Sequence, residues 1–312
     1  MKRSLIIILS ILFLTNSRSL EAQNNSCKYV IAKKNGSIIL AYKNFEDYLH
    51  SDKSWENYKK LMFEACPEIV AVHKKQLSWG SIDSLKFRDE VKKFKLEDWT
   101  KYLNQYDEKT LNFLYDSIIE EANKILPPIK SNTVDLCFFL PYGGCFVLLD
   151  NDKGLIFISL LIDPKDVSKI MIHEYAHCLH QQRRSEEPFT LKREIVSEGI
   201  AVYLTTLIKT DIGIANAIPF MPALSFKWCL DNEKTIKDSI QSELNDNTNN
   251  SLKKYIADGE NVAKPPKGFV EKTGYFIGYQ IIKACIDKGM KLEEICSLTS
   301  EEIIIRSGYF KN

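Results

Sequence analysis

His173-Glu174-Tyr175-Ala176-His177 stands inside the run VSKIMIHEYAHCLHQQ, and no other feature constrains this chain as strongly. At about 3.6 residues per turn, positions i and i+4 of a helix lie one above the other, so both imidazoles can reach a single metal ion. Glu174 projects beside the pair, where it can take a proton from water whose pKa the ion has lowered. The chain holds five histidines, and three of them (His173, His177 and His180) fall within eight residues. Asp163-Pro164 supplies an N-cap and a first-turn proline, so the spacing predicts a helix from there to about Arg184, ending before Pro188. Val167, Ile170, Met171 and Leu179 give it an apolar side to bury. Cys178 points about 100° from His177 and reads as a buried thiol.

A catalytic zinc takes three protein ligands and keeps one position open. The HExxHxxGxxH arrangement is excluded, because its glycine position holds His180 and its last histidine position Arg183. The alternative is a glutamate on a following helix, expected over Thr190 to Lys209. There REIVSEGIAVY offers Glu198, with Glu194 one turn earlier as the rival ligand or as a group orienting an imidazole. His180 is a second candidate for that orienting role. Gly199 and Ala201 suggest close approach of this helix to the histidine helix. No CxxC occurs, so neither a thiolate zinc ribbon nor a thioredoxin-like pair is supported.

The rest of the chain supplies context. Met1-Lys2-Arg3, the apolar run Ser4 to Leu14 and a polar stretch to Ala22 have the order of a secretory signal peptide, too short to span a bilayer, where roughly 20 residues are needed. The expected protein is therefore exported, to the periplasm or the exterior, with no stable membrane insertion after cleavage. Lys plus Arg number 42 against 41 for Asp plus Glu, so no bulk field draws in nucleic acid. Eight cysteines permit disulfides in an exported chain, but their pairing cannot be deduced. Asn35-Gly36 between apolar runs predicts a hairpin over 28–42. Aromatic and aliphatic residues at three- and four-residue spacings predict helices over 44–126, ended by Pro127-Pro128. Thr133 to Leu140, Cys145 to Asp150 and Leu155 to Ile162 read as consecutive antiparallel strands, the last edge-like and able to hold an extended substrate. Helices are expected at 252–257, 273–288, 291–298 and 301–306, with a polar segment at 241–250. Helices, a small sheet and helices again indicate an α+β protein.

On its HExxH and downstream glutamate the chain resembles the gluzincin metallopeptidases. It is most similar to a bacterial family of predicted zinc-dependent proteases that pairs HEY-x-H with SEG-x-A and carries a later Gly-Tyr repeat. Those elements stand here as His173 to His177, Ser197-Glu198-Gly199-Ile200-Ala201 and Gly274-Tyr275-Phe276-Ile277-Gly278-Tyr279. The resemblance covers residues 133 to about 285. It implies a zincin-like α+β fold with a small antiparallel sheet packed on the HExxH helix and helical N- and C-terminal regions. The corresponding division is 1–22 signal peptide, 23–130 mainly helical region and 131–312 metallopeptidase domain. The implied metal ligands are His173, His177 and Glu198, the cofactor Zn2+, the general base Glu174, and the substrate a peptide or protein. Tyr275 or Tyr279 would donate to the oxyanion of the reaction, or the two glycines beside them serve helix packing instead. A catalytically silent zinc-binding protein is the alternative, and retention of Glu174 argues against it.

Overall fold

The structure, a computed structural model, describes residues 27–78, 82–129, 133–150, 153–184, 187–260 and 268–311. The leader expected at 1–22 lies outside the described residues. The described chain divides into two compact units, the first made of 27–117 with 133–168 and the second of 118–129 with 169–311.

The first unit is built on a five-stranded sheet. Its strands are β1 (Val30–Lys33), β2 (Gly36–Ile39), β3 (Thr133–Phe139), β4 (Cys145–Asp150) and β5 (Lys153–Ser159), in the order β1-β2-β3-β5-β4. The hairpin forms about Asn35-Gly36 as the sequence predicts, with β1 antiparallel to β2. Beyond it the expectation of an antiparallel sheet is corrected. Strand β2 pairs parallel with β3, β3 pairs parallel with β5, and only β4 returns antiparallel against β5, so the sheet is mixed.

The strand expected to be an edge is thus interior, and the free edges belong to β1 and β4. Burial explains the order. After their first residue β3 and β5 are covered almost throughout, as strands flanked by neighbours and covered on both faces must be. Strand β4 has exposed Leu148 and suits a border. Gly36, at φ +141°, sits where a Cβ would fall 2.0 Å from the Val134 carbonyl oxygen, so the parallel neighbour itself requires glycine there.

Helices α1 (Ala41–Leu49), α2 (Trp55–Tyr58), α3 (Pro67–Ser78), α4 (Ser84–Val91) and α5 (Leu96–Leu103) complete this unit, with a π-helical turn at Lys59–Glu64. Their aromatic stripe is core: Phe45, Tyr48, Tyr58 and Met62 are buried, with edge-on ring contacts of 4.9 Å between Phe45 and Trp99 and between Tyr48 and Tyr58. Helix α6 (Glu108–Ile125) and helix α7 (Pro164–Arg184) each begin in the first unit and continue into the second.

The second unit is helical. It contains α8 (Leu191–Ile208), α9 (Gly213–Ala217), α10 (Ala223–Asp231), α11 (Glu233–Glu243), α12 (Asn249–Tyr255), α13 (Thr273–Asp287), α14 (Leu292–Ile295) and α15 (Ser300–Ser307). Helices α10 and α11 lie where the apolar spacing predicts none. At the start of α8, Thr190 Oγ1 accepts from the Arg193 amide at 3.4 Å, and the helix is buried nearly all round. It packs on α13 backbone to backbone: a Cβ on Gly199 would lie 2.3 Å from Gly278, and one on Gly278 2.1 Å from the Ile195 carbonyl oxygen. The expectation that Gly199 draws α8 toward the histidine helix is corrected here, since its bare side faces α13. Among the described residues, no helix is long and apolar enough to cross a membrane.

Candidate metal centre

Helix α7 presents His173 and His177 one turn apart, and α8 presents Glu198. The Asp163 carboxylate caps the start of α7 by accepting from the Lys165 amide at 3.1 Å, so the helix begins where the sequence places it. The two imidazoles stand 5.0 Å apart between centroids and 83° apart in plane. Glu198 Oε2 lies 3.0 Å from His173 Nε2 and 3.6 Å from His177 Nε2. All three residues are buried, His173 and Glu198 completely. Their ligand atoms lie within 4.8 Å of one another, as ligands to one ion require.

Burial of a carboxylate this deep is costly unless positive charge meets it. Burial works against charge on His177, but the Glu198 carboxylate outweighs it and holds the imidazole up at about 9. Burial likewise opposes ionisation of Glu198, and the two histidines overcome it, holding the carboxyl down at about 2. The pair is therefore a cationic imidazole against a carboxylate. His173 Nδ1, His177 Nε2 and Glu198 Oε1 are buried with no hydrogen-bond partner among the described residues. A divalent cation between the three side chains would take up His177 Nε2 and a Glu198 oxygen and would replace the proton that now balances the carboxylate. The donor set, two imidazole nitrogens and one carboxylate oxygen, suits zinc with a position to spare.

The second ring nitrogen of His177 is fixed by a residue the sequence reading did not single out for this purpose. His177 Nδ1 and Ser197 Oγ are hydrogen-bonded at 3.0 Å, which orients the ring so that Nε2 faces Glu198. The signal was present in the chain, because Ser197 directly precedes Glu198 and so rides the same helix turn.

Glu174 is 3% exposed and close enough to His177 and Cys178 for its charge to act on both. Glu194 is also buried, and its charge acts on His177, but it does not belong to the converging group. Cys178 is a buried thiol that burial pushes upward in pKa, and His180 is buried on α7.

The two tyrosines of α13 separate. Tyr275 is fully buried, with its ring stacked on His173 at 5.8 Å and 17°. Tyr279 lies one turn further along, its ring 5.7 Å from that of Tyr203. Gly274 and Gly278 serve packing: a Cβ on Gly274 would fall 2.7 Å from Ile256 Cδ1 and 3.0 Å from the Tyr255 carbonyl oxygen. Lys272, invisible to sequence reasoning, precedes the helix in left-handed backbone at φ +60°. It is 4% exposed, with Nζ 4.7 Å from the centroid of the Tyr275 ring, a cation–π contact that helps fix the ring.

Residues 149–305, about half of the chain, match the model of a protein family described as "Predicted Zn-dependent protease (DUF2268)". No curated protein and no solved structure matches the chain.

Proposed function

Since the chain belongs to that family of predicted zinc-dependent proteases, we propose that it is a metallopeptidase of the gluzincin type. His173, His177 and Glu198 hold the ion and Glu174 is the general base. The observation that carries this reading is the meeting of two imidazoles and one carboxylate from α7 and α8 in a buried spot, with a second buried carboxylate next in sequence to the first ligand.

Held by His173, His177 and Glu198, a zinc ion would supply Lewis acidity toward water and toward the scissile carbonyl. Glu174 takes the proton from the attacking water and passes it to the departing amine nitrogen. Ser197 holds the His177 ring in the orientation that offers Nε2. Tyr275, held against His173 and beneath Lys272, donates its phenol hydroxyl to the oxygen that gains charge as the carbonyl carbon becomes tetrahedral. Tyr279 is not given that part, because its ring lies on Tyr203. Peptides or proteins are the substrates, and the leader directs the enzyme out of the cytoplasm.

The test is hydrolysis of a mixed peptide library, with zinc content measured alongside. Wild type should cleave. Glu174→Gln should lose about 10²–10⁴-fold in rate while keeping its zinc, and Tyr275→Phe should lose about 10²-fold in kcat. Cleavage by Glu174→Gln at the wild-type rate, or by neither folded protein, would leave a silent zinc-binding protein as the better reading.

A further inference from the structure

Cys27, Cys66 and Glu68 form a second cluster, in the first unit and independent of the metal centre. Their sulfur and carboxylate oxygen atoms lie within 4.8 Å of one another. The backbone brings this about: the Lys28 amide donates to the Ala65 carbonyl at 3.2 Å. Cys27 directly precedes Lys28 and Cys66 directly follows Ala65, so this hydrogen bond holds the two cysteines near one another. The two sulfurs lie within 4.8 Å of one another, against about 2.0 Å in a disulfide, so the pair closes by bringing neighbouring side chains together.

Both thiols are buried, and each has an oxygen acceptor. Cys27 donates to Asn44 Oδ1 and Cys66 to Glu68 Oε2, both at 3.3 Å. Asn44 is itself pinned, its amide donating to the Leu61 carbonyl at 2.9 Å. Cys66 has the Glu68 carboxylate beside it at 3.3 Å to receive its proton.

We propose that Cys27 and Cys66 are a disulfide-forming pair, closed by exchange with a small-molecule or carrier-protein disulfide, with Glu68 as proton acceptor for Cys66. The Cys27 thiolate attacks one sulfur of the oxidant, forming a mixed disulfide and expelling one thiolate. Cys66, its proton passed to Glu68, then attacks Cys27 Sγ and expels the second thiolate. The two protein thiol protons end on the two released thiols, so the oxidant is reduced by two electrons and the cysteine pair oxidised by two. Because both sulfurs are buried, exchange requires a local opening that exposes them. The closed bond ties Cys27 to the residue before α3 and shortens the unfolded chain's excursions over residues 27–66.

The test equilibrates the purified protein with mixtures of reduced and oxidised glutathione, at urea concentrations below its unfolding transition. The protein is then alkylated, digested without reductant and mapped by mass spectrometry. A peptide linking Cys27 to Cys66 should replace the two alkylated peptides. The oxidised protein should also unfold at higher urea than the reduced one, a difference that disappears in Cys27→Ser/Cys66→Ser. Alkylation of both cysteines throughout, a glutathione adduct persisting on Cys27, or linkage of either to another cysteine would overturn the proposal. If the thiols stay free and the reduced protein develops thiolate-to-cobalt charge-transfer absorption on adding Co2+, the cluster is a soft metal site instead.

Discussion

When zinc loads the candidate centre at pH 7, His177 should give up close to one proton, in addition to any lost by the water that zinc acidifies. With its imidazole held up at about 9, His177 is about 99% protonated at pH 7, against about a quarter for a histidine of ordinary pKa near 6.5. Coordination through Nε2 requires that proton to leave. Glu198, held down at about 2, is already ionised and releases none. Removing a proton two pH units below its pKa costs about 3 kcal/mol. The apparent zinc affinity should therefore rise about tenfold per pH unit from 7 to 9 and level off above.

Isothermal titration of the metal-free protein with zinc, at one pH in several buffers of different ionisation enthalpy, reads the proton count directly. Release of a quarter of a proton or less at pH 7, or an affinity that ignores pH, would refute the picture of a carboxylate-stabilised imidazolium.

Other outcomes follow from the same contacts. The pair's contribution to the stability of the metal-free protein should peak between pH 4.5 and 6.5. The raised His177 contributes fully below 6.5 and fades as pH rises through about 9, and the depressed Glu198 contributes fully above 4.5 and fades as pH falls through about 2; urea midpoints of wild type and Glu198→Gln across pH check it. Gly278→Ala in an ordinary helix would gain about 1 kcal/mol, but here the new Cβ meets the Ile195 carbonyl oxygen at 2.1 Å. Backbone cannot step aside, so the substitution should cost about 1–3 kcal/mol, and a raised urea midpoint would contradict the packing argument. Ser197→Ala frees the His177 ring and should weaken zinc binding about 10–100-fold with the fold intact; unchanged affinity in a competition titration with a chelating dye would remove Ser197 from the site.

The centre was more legible in the sequence than the scaffold. A helix repeat is local, so His173 and His177 at four-residue spacing, together with the Asp163-Pro164 start, specify which side chains share a face without knowledge of any other element. Glu198 needed one further inference, a second helix, and the apolar run around it supplied that. Strand pairing is a long-range property, and the antiparallel expectation failed there. The cue was present in β3, whose near-continuous apolar residues fit a strand covered on both faces, while β5 between β3 and β4 follows from pairing that no local pattern encodes. Gly199 and Gly278 signalled close approach, but not of which helices. Ser197 stands in the SEG-x-A motif, but nothing in that motif tells that its hydroxyl meets His177 Nδ1. Lys272 reads as one more surface lysine until its backbone is seen in the left-handed region, and Cys27 and Cys66 are two among eight until the Lys28–Ala65 hydrogen bond aligns them.

X-ray absorption at the zinc edge of the purified, zinc-loaded protein tests the central claim most directly. Two imidazoles and oxygen donors around a single zinc, with no sulfur, is the predicted ligand shell, and it should lose an oxygen donor in Glu198→Ala. A thiolate in the shell, or fewer than two imidazoles, would contradict the assignment of His173, His177 and Glu198.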